Sequence, residues 1–124
     1  MTHPGVSDTK PFVPALDFDL SMQFYTSLGW KRNWEVDGLA ELELADSRIL
    51  LQDFYVREWA ENWMLYVVVD DARAWFEHVD SLIGKGSFGD ARVQEQQEEA
   101  YGARVTYVHD PSGVLIHFAE STDQ

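Results

Sequence analysis

Hydrophobic positions along the chain follow an order that occurs twice and begins with a short apolar segment. Residues 11–16 (PFVPAL) form this segment, and its two prolines cannot donate to the hydrogen-bond ladder of a central strand. The segment is therefore predicted to be an edge strand. A helix is expected next, with Asp17 or Asp19 capping its start and Gly29 ending it. Its apolar residues recur every four positions, at Leu20, Phe24 and Leu28.

Three alternating segments follow this helix and predict a run of strands. They cover residues 30–36, 39–45 and 49–53, and the Asp-Gly step after the first is typical of a tight hairpin turn. Residues 54–62 (FYVREWAEN) are interpreted as a connection, because the same order of elements begins again after them.

The second round starts with a strand and a strongly patterned helix. Residues 63–69 predict the strand, and residues 71–83 predict a helix that Asp71 caps and Gly84 ends. The apolar stripe of this helix has spacings of three and four residues, and its members are Ala72, Trp75, Phe76, Val79, Leu82 and Ile83.

The last part of the chain holds a polar stretch and two alternating segments. Residues 92–102 (RVQEQQEEAYG) predict one exposed strand near Val93 and then a loop that carries Tyr101. Residues 104–108 and 114–119 alternate as strands, and the Asp-Pro-Ser-Gly sequence between them is typical of a type I turn.

The complete order is βαβββ followed by βαβββ, which predicts the α+β class. Neither half has enough strands to bury its sheet alone, so the halves are expected to pack together as one domain over residues 1–124. Module one covers about residues 11–54 and module two about residues 63–120. We expect curved mixed sheets inside and helices outside.

Composition places the chain among ordinary globular proteins. It is 45% hydrophobic, and its longest apolar run, residues 64–69, is too short to span a bilayer. Residues 1–10 (MTHPGVSDTK) lack the charged and apolar regions of a signal peptide. The absence of cysteine rules out disulfides and thiolate ligands and fits a reducing compartment. A soluble cytoplasmic protein without a membrane contact is expected.

Acidic residues dominate the charge of the chain. There are 22 Asp and Glu against 9 Lys and Arg, for a net charge of −13. This charge disfavours binding to nucleic acid and to anionic membranes. It favours a cationic partner, and the plainer explanation is an acidic surface that only keeps the protein soluble.

His117 stands in the last predicted strand, within residues 109–120 (HDPSGVLIHFAE). Strand alternation places it on one half-apolar face together with Leu115 and Ala119. Such a position is compatible with a metal ligand, with a contact to a small molecule and with simple packing. Which of these roles applies depends on whether other ligand-type residues lie near His117.

Several segments carry a family likeness in addition to the doubled order. They are residues 11–30 (PFVPALDFDLSMQFYTSLGW), the strand at residues 62–69, the Tyr-Gly pair at residues 101–102 ahead of Asp-Pro, and the final IHFAE. Together they resemble the vicinal oxygen chelate superfamily of glyoxalases, ring-cleaving dioxygenases and antibiotic resistance proteins. The chain looks most like the bleomycin resistance proteins, which implies the glyoxalase/bleomycin resistance fold.

The resemblance also implies where a metal is held in the enzymes of the superfamily. Their ligands come from the first strand of each module and from a carboxylate on the last strand. Those positions fall at Lys10 or Pro11, at Trp63 or Met64, and at His117. One imidazole cannot supply the three or four ligands that a catalytic metal needs. We therefore expect no catalytic residues, no cofactor and no metal, with His117 as the one retained ligand type.

Bleomycin resistance proteins bind their drug without changing it, and the resemblance implies a homodimer with two interface grooves. Each groove encloses a glycopeptide with a flat aromatic part and a cationic tail, which calls for aromatic faces and acidic groups. At the aromatic positions of the group, Trp34 keeps a ring, Leu39 replaces phenylalanine, and Tyr66 and Tyr101 replace tryptophans. Tyr66 is equally compatible with core packing.

Two carboxylates are candidates for the cationic tail. Alternation puts Glu41 and Glu43 on the same face as Leu39. They either line the groove or belong to a solvated outer face. Asp37 and Glu61 are further candidates nearby.

The leading hypothesis is therefore a binding protein that sequesters a cationic aromatic glycopeptide antibiotic of the bleomycin family. Two alternatives stay open. One is a metal-dependent enzyme of the glyoxalase or dioxygenase type with unusual ligands. The other is a small-molecule carrier or sensor of the same fold, because fold alone does not determine function.

Overall fold

The structure is a computed structural model that describes residues 2–122. Module one and the connection after it consist of β1 (Phe12–Pro14), α1 (Phe18–Leu28), β2 (Lys31–Val36), β3 (Leu39–Leu44), β4 (Ser47–Gln52) and α2 (Arg57–Ala60). Module two consists of β5 (Met64–Val68), α3 (Ala72–Lys85), β6 (Arg92–Glu99), β7 (Ala103–His109) and β8 (Leu115–Ser121). Among these described residues, no helix has the length and apolar character that a membrane crossing requires.

Each module forms one four-stranded mixed sheet. The strand orders are β1-β4-β3-β2 and β5-β8-β7-β6. In both sheets the first strand of the module pairs in parallel with its last strand, and the other neighbours are antiparallel. The prediction of two βαβββ modules in an α+β fold is confirmed, and β1 lies at a sheet edge as its prolines indicated.

Local sequence signals explain several boundaries. The side chains of Asp17 and Asp71 accept hydrogen bonds from backbone N–H groups in the first turns of α1 and α3, at 3.1 and 3.0 Å. Gly29 ends α1 with a φ of 128°. Asp37 and Gly38 both have positive φ, 48° and 77°, as the tight turn of a two-residue hairpin requires.

Two local predictions are wrong, and one helix was not predicted. The polar stretch after Val93 is not a loop, because β6 continues to Glu99 through its pairing with β7, with a bulge between Gln94 and Gln97. The connection before module two is present as predicted, and it contains the short helix α2, which was not predicted. Helix α3 does not end at Gly84, since the hydrogen-bonded turn continues and Gly86 is its C-cap.

The helices cover one face of each sheet and leave the other face open. On the covered face of the first sheet, Leu42 and Leu51 are fully buried with Phe24 of α1. On the covered face of the second sheet, the ring of Phe118 stacks on Trp75 of α3, with the centroids 4.4 Å apart and the planes 7° apart. Burial of apolar area on these faces is the main stabilising contribution to each module.

A buried hydrogen-bond cluster joins the two modules. Tyr25 of α1 donates from its hydroxyl to Asp110 Oδ2 at 2.7 Å, and the backbone N–H groups of Ser112 and Val114 donate to Asp110 Oδ1 at 2.8 and 3.0 Å. Burial raises the pKa of Asp110, and the hydrogen bonds to its carboxylate lower it. Burial has the larger effect, and the resulting pKa is about 6. The predicted turn before β8 is present, since the Gly113 N–H donates to the Asp110 carbonyl at 3.1 Å.

Candidate functional site

The open face of the first sheet carries a row of four side chains, one from each strand. The strand register aligns Phe12 with Leu50, Leu50 with Glu41, and Glu41 with Trp34. Phe12 and Trp34 are exposed to solvent. The row therefore presents two aromatic rings with a carboxylate between them.

Glu41 is bound and covered by neighbours from the same chain. Its side chain accepts from Lys10 Nζ at 2.5 Å and from Asn33 Nδ2 at 2.8 Å, and the residue is only 6% exposed. A register shift between Arg32 and Trp34 makes Asn33 the extra residue of β2 in this pairing. The hydrogen bonds from Lys10 and Asn33 lower the pKa of Glu41. The alternative that Glu41 belongs to a solvated outer face is wrong.

The other candidates of module one lie around the same sheet. Leu39 is half-buried on β3. Glu43 accepts from the same asparagine amide at 2.9 Å and lies 3.7 Å from the guanidinium of Arg48. Asp37 sits in the β2–β3 turn, and Glu61, after α2, is paired with an arginine at 3.0 Å. Both predicted carboxylates of β3 thus already have partners within the chain.

The open face of the second sheet carries the equivalent row. The register aligns Tyr66 with His117, His117 with Tyr107, and Tyr107 with Gln94. The His117 ring lies between two tyrosine rings, with centroid distances of 5.6 Å to Tyr66 and 5.0 Å to Tyr107. Tyr101, from the β6–β7 turn, is exposed, and its hydroxyl accepts from that of Tyr66 at 3.5 Å. Because Tyr66 is exposed too, the core-packing alternative for it is wrong.

Glu99 adds one carboxylate to this tyrosine-rich face. The Tyr107 hydroxyl donates a hydrogen bond to Glu99 Oε2, and burial together with this bond raises the pKa of Tyr107 to about 12. The contact with the Tyr66 hydroxyl, partial burial and the nearby Glu99 carboxylate together raise the pKa of Tyr101 to about 12. Burial lowers the pKa of His117 from its ordinary value of 6.5. These shifts favour the neutral forms of the Tyr101, Tyr107 and His117 rings at neutral pH.

The residues at the implied metal positions do not fit a divalent cation. Lys10 brings a positive charge that is already paired with Glu41, and Trp63 has no ligand atom for a metal. Met64 has a soft thioether, a ligand type that suits copper(I) rather than a hard catalytic ion. Within residues 2–122, no three His, Cys, Asp or Glu side chains lie close enough together to hold a metal ion.

The predicted binding residues fall into two groups on separate sheets. The first sheet carries Trp34, Leu39, Glu41 and Glu43, and module two carries Tyr66 and Tyr101. A cleft of about 800 Å³ lies between the modules, lined by Arg48 at the start of β4, by Tyr66 of β5 and by Trp75 of α3. Arg48 and Tyr66 thus lie at the boundary between this cleft and the two open faces.

Not every residue of these faces was predicted as a binding residue, and Tyr107, Lys10 and Glu99 show why. Tyr107 could have been found, because it alternates in phase with Val105 within a predicted strand. Lys10 had no such signal, since it lies in a segment without regular structure. Glu99 is the last residue of β6, but it lies in a polar segment that was predicted to be a loop, so no sheet face was predicted for it.

Comparison with known proteins identifies the fold. Residues 11–118 match the family model of the Glyoxalase/Bleomycin resistance protein/Dioxygenase superfamily. A bleomycin-binding protein solved in complex with bleomycin has a TM-score of 0.77 and 21% identity, covering 94% of this chain and 99% of that chain. A bleomycin-binding protein from the bleomycin-producing Streptomyces verticillus, solved with copper(II)-bleomycin, has a TM-score of 0.75 and 19% identity, covering 98% and 100%.

An enzyme shares the architecture as well. Lactoylglutathione lyase from Agrobacterium tumefaciens has a TM-score of 0.69 and 17% identity, covering 94% of this chain and 95% of that chain. No curated protein matches the chain in sequence. At these sequence identities the structural similarity shows the fold alone. Function has to be inferred from the side chains of the site.

Proposed function

Because the chain belongs to the glyoxalase/bleomycin resistance protein/dioxygenase superfamily, we propose that it is a non-catalytic protein that sequesters a cationic aromatic glycopeptide antibiotic of the bleomycin family. The observation that carries this proposal is the exposure of aromatic rings on or beside the open sheet faces, at 40% for Trp34, 52% for Tyr66 and 61% for Tyr101. Exposed rings of this kind are typical of surfaces that bind flat ligands. The likeness to two bleomycin-binding proteins supports this ligand class.

A groove at a homodimer interface is part of the proposal, because the binding residues of one chain lie on two sheets. In a twofold dimer, the first-sheet face of one protomer lies against the second-sheet face of its partner, and two equivalent grooves form. Met64 and Val68, exposed apolar residues on the edge strand β5, support this arrangement, since a contact would remove them from water.

Binding alone accounts for the proposed activity. The net charge of −13 attracts a cationic drug, and a few aromatic anchors supply most of the affinity once water is excluded. A drug enclosed in the groove is kept away from DNA, so no bond has to form or break. The cytoplasm is the location at which such sequestration protects the cell.

We expect calorimetry to detect micromolar or tighter binding of bleomycin, at one drug per protomer. Trp34→Ala and Tyr101→Ala should each weaken binding about ten- to a hundredfold, because each removes a ring from the groove. Leu16→Ala is the matched control, since Leu16 is an exposed apolar residue before α1 and outside both faces. Added salt should weaken binding.

Two results would contradict this proposal. One is the absence of binding for every bleomycin and related drug tested. The other is stoichiometric metal in the untreated protein, measured by elemental analysis, because it would favour the metal-dependent enzyme instead. Sedimentation analysis tests the homodimer separately, and a monomer with intact drug binding would limit the correction to the interface.

Lys10→Met is expected to strengthen bleomycin binding about fivefold at low salt. The Lys10 ammonium holds Glu41 Oε1, so it competes with the cationic tail of the drug for the same carboxylate. Lys85→Met, at the end of α3, removes an equal charge away from the faces and should have little effect. Weaker binding by Lys10→Met would show that Glu41 does not receive the tail.

A further inference from the structure

His117 has two buried ring nitrogens that lack partners. Neither Nδ1 nor Nε2 has a hydrogen-bond partner among the described residues. Buried polar atoms in native proteins are satisfied in the great majority of cases, so an exception on an open face requires an explanation. The rings of Tyr66 and Tyr107 lie on either side of the imidazole and hold it in place. Its position is therefore fixed although neither nitrogen makes a hydrogen bond within residues 2–122.

The surroundings of His117 are rich in hydrogen-bond acceptors. A neutral imidazole offers one acceptor nitrogen and one N–H donor, and a carboxylate keeps acceptor capacity after one hydrogen bond. Glu99 already receives the Tyr107 hydroxyl and is close enough to His117 to influence its ionisation. A molecule that brings N–H donors therefore finds two acceptors on this face, the free acceptor nitrogen of His117 and the Glu99 carboxylate.

The same face presents aromatic surface of the kind that contacts flat groups. The Tyr66 and Tyr101 side chains are exposed and joined through their hydroxyls, while Tyr107 is half-buried beside His117. Aromatic rings favour stacked or edge contacts with another ring, and a cation over a tyrosine face gains further attraction. The single carboxylate adds a preference for positive charge.

We propose that Tyr66, Tyr101, Tyr107, His117 and Glu99 form a subsite for a planar aromatic group that carries N–H donors, with a cationic amidine preferred over a neutral amide and an anion excluded. An N–H of the group donates to the free acceptor nitrogen of His117, and Glu99 attracts its charge. The subsite rests on the proposed function in that it is one part of a small-molecule groove, but it can be tested without the antibiotic.

The test uses benzamidine, benzamide and benzoate as probes, titrated into the protein and followed by NMR of the tyrosine and histidine rings. Benzamidine should bind most tightly, benzamide more weakly, and benzoate not at all, with shifts at Tyr66, Tyr101 and His117. His117→Phe keeps the ring and removes both nitrogens, and it should weaken benzamidine binding about fivefold. His3→Phe, in the exposed first residues, is the matched control.

Glu99→Gln provides a second variant in case His117→Phe does not fold. It should reduce the preference for benzamidine over benzamide to near equality, because it removes the charge and keeps an acceptor oxygen for Tyr107. Equal binding of benzoate and benzamidine, shifts confined to the first sheet, or unchanged affinity in both variants would each overturn the subsite.

Bleomycin titrations separate this inference from the proposed function. If bleomycin binds and the probes show none of these preferences, the subsite is wrong and the proposed function stands. If the probes bind as expected and bleomycin does not, the subsite stands and the proposed antibiotic is wrong.

Discussion

Asp110→Ala is expected to lower the free energy of unfolding by about 3 kcal/mol, because it leaves buried donors without an acceptor. The Asp110 carboxylate accepts from the Tyr25 hydroxyl of module one and from the backbone of Ser112 and Val114 in module two. Alanine removes the acceptor for all three donors at once. Chemical denaturation at constant pH measures the loss.

Asp110→Asn is the matched control, and it should also change how stability depends on pH. Asparagine keeps an acceptor oxygen for the two backbone N–H groups and can donate to the Tyr25 oxygen. In the native protein, burial raises the pKa of Asp110 to about 6 from its ordinary value of 3.8. The group therefore contributes stability that is fully present below pH 3.8 and is lost as the pH rises through about 6.

The difference between the wild type and Asp110→Asn isolates this contribution from those of the other carboxylates. Relative to the asparagine variant, the wild type should lose about 3 kcal/mol of unfolding free energy between pH 3 and pH 8. Parallel pH curves for the two proteins would show that Asp110 titrates as an ordinary carboxyl group and that its burial has no energetic consequence.

The elements that could be predicted from the sequence are those whose pattern is set by one buried face. Helix α3 is an example, because its apolar stripe repeats every three or four residues and Asp71 marks its start. Strand β6 is the opposite case. Its residues are polar and its strand state comes from pairing with β7, so the local sequence from Gln94 to Glu99 had no strand signal.

The candidate site divides in the same way. Alternation was sufficient to place His117 on the face of Leu115, and the resemblance pointed to Trp34, Tyr66 and Tyr101. The rings that enclose His117 depend on the register of β8 with both of its neighbours, β5 and β7. Register is set by tertiary pairing, which a single sequence does not display.

Contacts of the N-terminal segment were beyond prediction for a related reason. Lys10 and Glu41 come together because an irregular segment crosses the open face of the first sheet. No periodicity governs such a segment. The distribution of charge on this face therefore had to come from the structure, which pairs Glu41, a predicted ligand-binding residue, with Lys10.

Phe118→Ala is expected to lower the free energy of unfolding by about 4 kcal/mol. Phe118 is fully buried, and its ring stacks on Trp75, so alanine leaves a cavity between α3 and the second sheet. Phe118→Leu fills most of that space and should cost about 1.5 kcal/mol or less. A double-mutant cycle with Trp75→Leu should give a coupling of about 1 kcal/mol for the stacked pair.

The decisive comparison for Phe118 is with Tyr66→Ala, a truncation of similar size on the opposite face of the same sheet. Tyr66 is exposed, so its loss should cost about 1 kcal/mol or less while it weakens ligand binding. Phe118→Ala should show the reverse, with a large loss of stability and, below its unfolding transition, ligand binding near that of the wild type. Equal stability costs for the two variants would mean that the Tyr66 ring is buried in solution, so that it packs in the dimer contact instead of lining an open groove.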